Sequence, residues 1–571
     1  MARIFGHYNL KNNRSSFLPK MTETFKTENT LIDYINFNND SLTLIYEALE
    51  NARSKYLYYI DDTKQLACFI TGNINAYEDS TLKVLTQENI VKFILGKYLK
   101  SGLEFIKHLR GYFNIIIIDK KQVFLINDQL GLSPMYIYQT EEGIFFCNEP
   151  EPIIWLNIAN NIDYNSIAEF IVYGFVINGK TFIKNLYNQP PGSILHFDDN
   201  KMRSETYFDF MPMDVSGMSE KKKFQLVKDV FLESVQIRIN KNTEDTFLDL
   251  TGGWDTRFIL ANMLHLNKKP ILYTKLEINE DLEIAKMLAK EKRLKHIIQD
   301  FPSNLETNPR LFLDLNYQKK VVYNFYIQNK KAFHDCFEHI TSSHFYFLPK
   351  FSGLYGGELL GNTPDWFDKR IKLNLAISGK KLLSHKLFRK AIKNKTFNEL
   401  LDHIDKSASP VYLFLTHIGR TYLNVHYTAG WERPTAFFAD NTMIPFTDLK
   451  FISLLCSFDY NKYIHRHKLY EILYKAYYPE YLEFPWTNTP LRRKNELKNV
   501  PTGRINSESF SYTTFLDKRF ISFLNQSNLT KDANTAKIRA KELFFLFNWF
   551  NIYKSVLKPS DVDFCVGDSL N

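Results

Sequence analysis

Phe247-Leu248-Asp249-Leu250-Thr251-Gly252-Gly253-Trp254-Asp255-Thr256-Arg257 decides how this chain is read. Leu248 and Leu250 lead in with strand-like apolar residues. Two glycines follow, then a hydroxyl residue, then Phe258-Ile259-Leu260-Ala261-Asn262-Met263-Leu264 at helical spacing. The layout is strand, tight glycine turn, helix N-terminus. Such a turn leaves backbone N–H groups without helical acceptors, and the helix dipole adds partial positive charge at the same place. That combination suits an anion, most often a phosphate. Glycines let the backbone come close to it, and Thr251 and Thr256 offer hydroxyl donors. Asp255 repels a bare phosphate, so its natural partner is a magnesium ion bridging phosphate oxygens. The plainer reading is a structural turn.

Working outward, 571 residues exceed one compact core, and two domains are expected. Hydrophobic residues make up 44% and charged residues 24%, which argues against disorder. A net charge of +9 from 72 basic and 63 acidic residues is mild over this length and does not argue for nucleic acid. Cys68, Cys147, Cys336, Cys456 and Cys565 are widely spaced without a CxxC pair, which disfavours a zinc site or a disulfide framework and fits a reducing, cytoplasmic setting. The N-terminus lacks the long apolar core of a signal peptide. No apolar run is long enough to span a bilayer, so no membrane partner is expected.

The first part of the chain carries short runs rich in β-branched and aromatic residues: 56–60, 66–70, 112–118, 123–126 and 144–146. Ile115-Ile116-Ile117-Ile118 reads as a buried strand. Helical patterns lie at about 84–100 and 164–173. Sheets with few helices predict a layered α+β domain over 1–205. Cys68 and Cys147 fall within strand patterns and read as small buried hydrophobes. The second part, 206–571, opens with an amphipathic helix pattern over 219–240, followed by the glycine turn. A strand at 270–276, a helix at 281–289 and a strand at 295–298 come next. This alternation predicts a doubly wound parallel α/β sheet, whose ligands bind beyond the carboxyl ends of the strands. Glu542 to Phe550 reads as an apolar helix packing on the core, so the C-terminal part is expected to be helical.

Thr251-Gly252-Gly253-Trp254-Asp255-Thr256 resembles the SGGxDS pyrophosphate loop of the asparagine synthetase family. Other segments match that family in order. Leu109-Arg110-Gly111-Tyr112-Phe113 resembles its LxGxFA, Asn127 to Tyr136 its RDxxGxxPLYY, Phe146-Cys147-Asn148-Glu149 its FASE, and Pro190-Pro191-Gly192 its PPG. Phe351 to Gly361 resembles SGxGxDExFGG, Ile444-Pro445-Phe446-Thr447-Asp448 resembles VPFLD, and His467 to Leu473 resembles the EKxxLR segment. The resemblance implies an N-terminal glutaminase-like domain of the Ntn type, a four-layer sandwich of two sheets between helices. An ATP-pyrophosphatase domain would follow it. The cofactors implied are ATP and Mg2+.

The resemblance also assigns roles. Leu250, Thr251, Gly252, Gly253, Asp255 and Thr256 would cradle the phosphates, Gly353 and Gly356 would also bind the nucleotide, and the strand end Leu272 to Lys275 would lie against adenine. Asp255 and Glu358 would hold the metal, because two carboxylates are needed to hold magnesium against pyrophosphate. Aligned from its front, the segment Phe351 to Gly361 puts Glu358 where the family has Asp and Tyr355 where β-lactam synthetase, a family member, carries a catalytic tyrosine; aligned from its back, Gly357 falls on that Asp and Glu358 on the Glu after it. Lys468 would offset the negative charge that builds as pyrophosphate leaves.

Active glutaminases of the family begin Met-Cys-Gly-Ile, and their cysteine is the nucleophile. Here Met1-Ala2-Arg3-Ile4 places Ala2 at that position, and Asn73 stands where a carboxylate would hold the glutamine amine. The expectation is a domain that does not hydrolyse glutamine, in a synthetase of the β-lactam synthetase or lasso-peptide cyclase type. Such an enzyme adenylates a carboxylate and passes it to an amine of the same molecule or of a second substrate, as in antibiotic and other specialised biosynthesis. Partners would be a small molecule or peptide bearing both groups, a protein that delivers the peptide, and a second copy in a homodimer. An ammonia-dependent asparagine synthetase-like amidotransferase and a non-catalytic scaffold are the alternatives.

Overall fold

A computed structural model describes residues 2–9, 30–37, 42–49, 57–239 (except 64, 87, 149, 174–175, 177–178 and 199–200), 246–275, 279–299, 350–361, 442–486 and Lys558. The expected helix at Glu542 to Phe550 lies outside them.

The N-terminal residues build two antiparallel sheets. The strands are β1 (Ala2–Asn9), β2 (Thr30–Phe37), β3 (Leu42–Leu49), β4 (Tyr58–Ile60), β5 (Leu66–Glu78), β6 (Leu82–Val84), β7 (Leu109–Asp119), β8 (Gln122–Asn127), β9 (Tyr136–Gln139), β10 (Gly143–Cys147), β11 (Leu186–Asn188), β12 (Ser193–Asp198) and β13 (Lys201–Thr206). One sheet has the order β11-β9-β10-β1-β3-β2. The other runs β13-β12-β8-β7-β5-β4, with β6 also on β5.

Strand alternation sorts the side chains by face. Ile4, Leu44, Tyr46 and Phe146 of the first sheet meet Phe69, Ile116, Ile118 and Leu125 of the second in one buried cluster. Ile115 and Ile117 point the other way, into a cluster with Cys68, Ile70 and the helix α1 (Ile90–Ser101). Phe5, Ile45 and Phe145 turn to the far side of the first sheet, toward Ile153 and Ile154 of α2 (Glu151–Trp155) and Ile167 and Phe170 of α3 (Tyr164–Tyr173). These clusters are compatible with a layered α+β sandwich. The isoleucine run is buried on both faces, as its composition predicts. Cys68 and Cys147 are buried strand residues, and burial pushes the Cys68 thiol up, away from a nucleophilic thiolate.

The helix expected at 84–100 is shorter than its pattern. Leu82 to Val84 pair with the end of β5 instead, Ala76 opposite Val84, and α1 begins only at Ile90. A sheet edge within reach outweighs local helical spacing there.

The next part is α/β. It comprises α4 (Glu220–Arg238), β14 (Phe247–Asp249), α5 (Trp254–His265), β15 (Ile271–Lys275), α6 (Asn279–Glu291), β16 (His296–Gln299), β17 (Lys350–Phe351), α7 (Gly356–Leu360), β18 (Thr442–Met443), α8 (Leu449–Leu455) and α9 (Lys468–Tyr477). The sheet order is β16-β15-β14-β17-β18, and each neighbouring pair is parallel. Chain order therefore reverses between β14 and β17, which makes that boundary the switch point of the sheet.

A buried charge network ties the antiparallel sheets to the parallel one. Arg110 of β7 makes a two-pronged contact with Asp448, at 2.8 and 2.9 Å from Nη2, and also bonds Glu233 of α4 and Glu78 of β5. Asp448 caps α8 through the Lys450 N–H and accepts from the fully buried Arg238 at 3.2 Å. Lys450 Nζ completes the ring with Glu78 and Glu233. Burial alone would push the Asp448 carboxyl up; the guanidinium groups of Arg110 and Arg238 outweigh it and hold the carboxyl below its usual range. Nearby, Asn73 donates to the Tyr112 hydroxyl at 2.9 Å, and Tyr112 donates to the Thr442 carbonyl of β18.

Candidate nucleotide site

The loop after β14 and the loop after β17 meet at the switch point. Leu250 is buried and prolongs the sheet, its N–H bonded to the Tyr273 carbonyl at 2.8 Å. The chain turns through Thr251 and Gly252, and Gly253, in extended conformation, stands at the N-cap of α5. Trp254, Asp255 and Thr256 form the first turn of that helix, where backbone amides lack intrahelical acceptors.

The turn is stitched internally. The Thr251 N–H donates to Thr256 Oγ1 at 3.1 Å, the two threonine hydroxyls lie 3.2 Å apart, and the Gly253 N–H donates to Thr251 Oγ1 at 3.2 Å. Gly252 N–H donates to Asp281 Oδ1 at 2.8 Å; Asp281 sits buried in the first turn of α6. The reading from sequence leaves these amides open toward a ligand. The structure instead spends the Thr251, Gly252 and Gly253 amides and the contact between the two threonine hydroxyls on holding the loop's shape.

Arg257 pins the same turn from behind. Its Nη2 donates to the Gly252 carbonyl at 3.1 Å and to the Pro485 carbonyl at 2.6 Å, and its Nη1 to the Tyr481 carbonyl at 3.2 Å. Its guanidinium lies 3.5 Å from the centre of the Trp486 ring, and burial pushes its pKa down to about 10. Trp254 stacks on Trp486, with the two ring centres 3.6 Å apart.

The facing segment has almost no side chain to spare. A Cβ on Gly356 would stand 2.6 Å from both Cγ and Oδ1 of Asp255, and one on Gly353 would stand 2.8 Å from Thr256 Cγ2 and 2.9 Å from Asp255 Cβ. Only glycine lets this backbone lie against the Asp255 carboxylate. Between them Tyr355 takes the left-handed conformation, φ 67°, and buries its ring in the main apolar cluster. Tyr470 of α9, fully buried, donates from its hydroxyl to Asp255 Oδ1 at 2.6 Å.

Of the residues predicted from sequence, the structure brings together Leu250, Thr251, Gly252, Gly253, Asp255, Thr256, Gly353 and Gly356, with Tyr355 beside them. Lys468 stands at the first position of α9, exposed, with its amine donating to the Asn461 carbonyl at 2.8 Å rather than reaching into the Asp255 cluster. Lys275 and Glu358 have backbone places in β15 and α7, and their side chains lie outside the described residues. Asp281 enters the reading from sequence only as the start of a helix, and Arg257 and Tyr470 are not among the residues predicted there. The spacing of Tyr470, Tyr474 and Tyr478 along one helix face was the signal for the last.

Magnesium in a nucleotide site takes one or two protein carboxylates together with substrate phosphates and water. A group of three His, Cys, Asp or Glu ligands, absent among the described residues, is therefore not required. The Asp255 carboxylate in its glycine cradle, beside the helix N-terminus, fits that demand.

Comparison with known proteins agrees with the antiparallel part. Residues 77–208 match the glutamine amidotransferase domain family. The chain is 26% identical over 187 residues to a protein of Methanocaldococcus jannaschii named as a glutamine-hydrolysing asparagine synthetase, covering 32% of this chain and 36% of that one. It is 25% identical over 174 residues to asparagine synthetase 1 of Bacillus subtilis, covering 29% and 27%. An amidase of Gibberella zeae is 21% identical over 220 residues, covering 37% and 32%. The chain thus spans about a third of the length of the curated relatives it matches. A solved glutamine phosphoribosylpyrophosphate amidotransferase of B. subtilis superposes with a TM-score of 0.23 at 10% identity over 52% of this chain and 65% of that one, too slight a likeness to argue from. The chain is thus similar to asparagine synthetases over part of its length, and residues 77–208 match a glutamine amidotransferase domain.

Proposed function

We propose that the chain is an ATP-dependent, AMP- and pyrophosphate-forming synthetase that joins a carboxylate to an amine. The observation that carries this reading is the approach of the Gly353–Gly356 backbone to Asp255 at the switch point of a parallel sheet, where such folds bind ligands. Thr251, Thr256 and the first amides of α5 would hold the phosphates. Asp255 would hold Mg2+, whose charge offsets the negative charge of the leaving pyrophosphate. The chain's own residues bind and align the α-phosphate for attack by the substrate carboxylate; an amine then displaces AMP and closes the amide.

The amine source follows from the other domain. Ala2 carries no nucleophilic atom, and Asn73 spends its amide on Tyr112. In this reading the amine comes from the substrate itself or from a second substrate, as in macrolactam and β-lactam formation, with free ammonia as the alternative. Glu358 as second carboxylate, Tyr355 as base and Lys468 as phosphate cation belong to the same proposal; Lys468 would have to leave Asn461 to act.

One observation favours a non-catalytic scaffold instead: the Gly252 and Gly253 amides are already bonded within the chain. Pyrophosphate release separates the two. With ATP, Mg2+ and peptides or amino acids carrying both groups, the synthetase releases pyrophosphate in a substrate-dependent way, and Asp255→Asn abolishes it. Release from no substrate tried favours the scaffold, whereas an unaffected rate in Asp255→Asn removes the metal role of Asp255.

A further inference from the structure

Tyr470, Tyr474 and Tyr478 recur every fourth residue at and just beyond α9, so they share one face. That face lies along α5. The Tyr478 hydroxyl donates to Asn262 Oδ1 at 2.9 Å, and the Tyr474 hydroxyl to the Trp254 carbonyl at 3.0 Å. Both bonds hold one helix to the other. The third hydroxyl, of Tyr470, ends on the carboxylate of Asp255 at 2.6 Å. A phenol bonded to a carboxylate inside the protein is a strong, charge-assisted contact. Across from it, the Gly356 backbone leaves no room for even a methyl group beside Oδ1. The carboxylate is gripped from both sides.

We infer that Tyr470 is a positioning residue of the nucleotide site, its hydroxyl fixing the Asp255 carboxylate in the orientation that accepts a divalent cation. The inference rests on the reading of Asp255 as the metal carboxylate. Packing does not explain the hydroxyl. The Tyr470 ring already meets Phe258 edge-on at 5.5 Å and Phe446 at 6.5 Å, contacts that a phenylalanine would keep. What the oxygen adds is a bond to the Asp255 carboxylate, and groups that orient a metal ligand change metal affinity about 10- to 100-fold when removed.

The test is a calorimetric titration of Mg2+ into the full chain at fixed α,β-methylene-ATP. Tyr470→Phe raises the half-saturating Mg2+ at least about tenfold, and Tyr474→Phe, which removes a hydroxyl from the same helix face, leaves it unchanged. An unmoved Mg2+ requirement in Tyr470→Phe, or an equal shift in both variants, overturns the inference. Asp255→Asn separates the two levels. If it removes the Mg2+ response while Tyr470→Phe does not, only the role of Tyr470 falls; if it too leaves the response intact, the metal reading of Asp255 falls as well. A crystal structure of the unaltered protein with Mn2+ and the analogue provides a check that needs no variant: the Tyr470 hydroxyl stays on Oδ1, and a hydroxyl turned to another partner overturns its role.

Discussion

At the scale of single residues the site depends on what glycine omits. Gly356 has no special φ to satisfy; it is glycine because Asp255 occupies the volume of its missing Cβ. Gly356→Ala therefore pushes the carboxylate away. The expected result is loss of Mg2+-dependent nucleotide binding by calorimetry, with a stability cost of about 1–3 kcal/mol for local overpacking measured by urea unfolding. Binding retained at full strength would mean that Asp255 adjusts freely and that the cradle has no role. The strand–turn–helix at Phe247 to His265 was legible in the sequence because a strand, two glycines and a helix start leave few other conformations. Asp281 was not, because the partner of a loop amide is set by how α6 packs, 29 positions along the chain.

At the scale of elements, α9 was read through Lys468, and the structure gives its weight to the tyrosine face instead. A lysine on a helix end is placed by local sequence, but whether it faces a site or solvent depends on the helix's rotation against its neighbours. Here the apolar and phenolic face sets that rotation, with Leu469, Tyr470, Leu473 and Tyr474 all buried, and Lys468 is left outside. Tyr478→Phe tests the tie to α5. It leaves the buried Asn262 carbonyl oxygen without this donor, which costs about 1–3 kcal/mol in chemical unfolding. A loss near zero would show that α9 is held by packing alone. The early strand at Leu82 to Val84 teaches the same lesson: periodicity names a face, and tertiary partners decide what is built from it.

For the whole molecule, the antiparallel sheets are bound to the parallel one through Asp448, which faces two buried guanidinium groups. Asp448→Asn leaves Arg110 and Arg238 short of their shared counter-charge and is expected to cost about 3–5 kcal/mol in urea unfolding at pH 7. The pH dependence has a definite sign. The folded Asp448 carboxyl titrates below its unfolded value, so its stabilisation is full above about pH 4 and is lost as pH falls through the lower folded value. Asp448→Asn flattens that acid limb; an unchanged limb would assign it to other carboxylates. Antiparallel strands followed by a parallel sheet were legible because each stretch repeats its own period, whereas Arg110 in a strand and Asp448 before a helix gave no sign in sequence that they would meet 338 positions apart. The central claim is that the turn at Thr251 to Thr256 receives the phosphates of ATP through Mg2+ at Asp255. Calorimetric titration of the intact chain with α,β-methylene-ATP and Mg2+ tests it most directly. The account predicts saturable binding of one nucleotide per chain that Asp255→Asn removes; no binding by the unaltered protein, or equal binding by the variant, would contradict it.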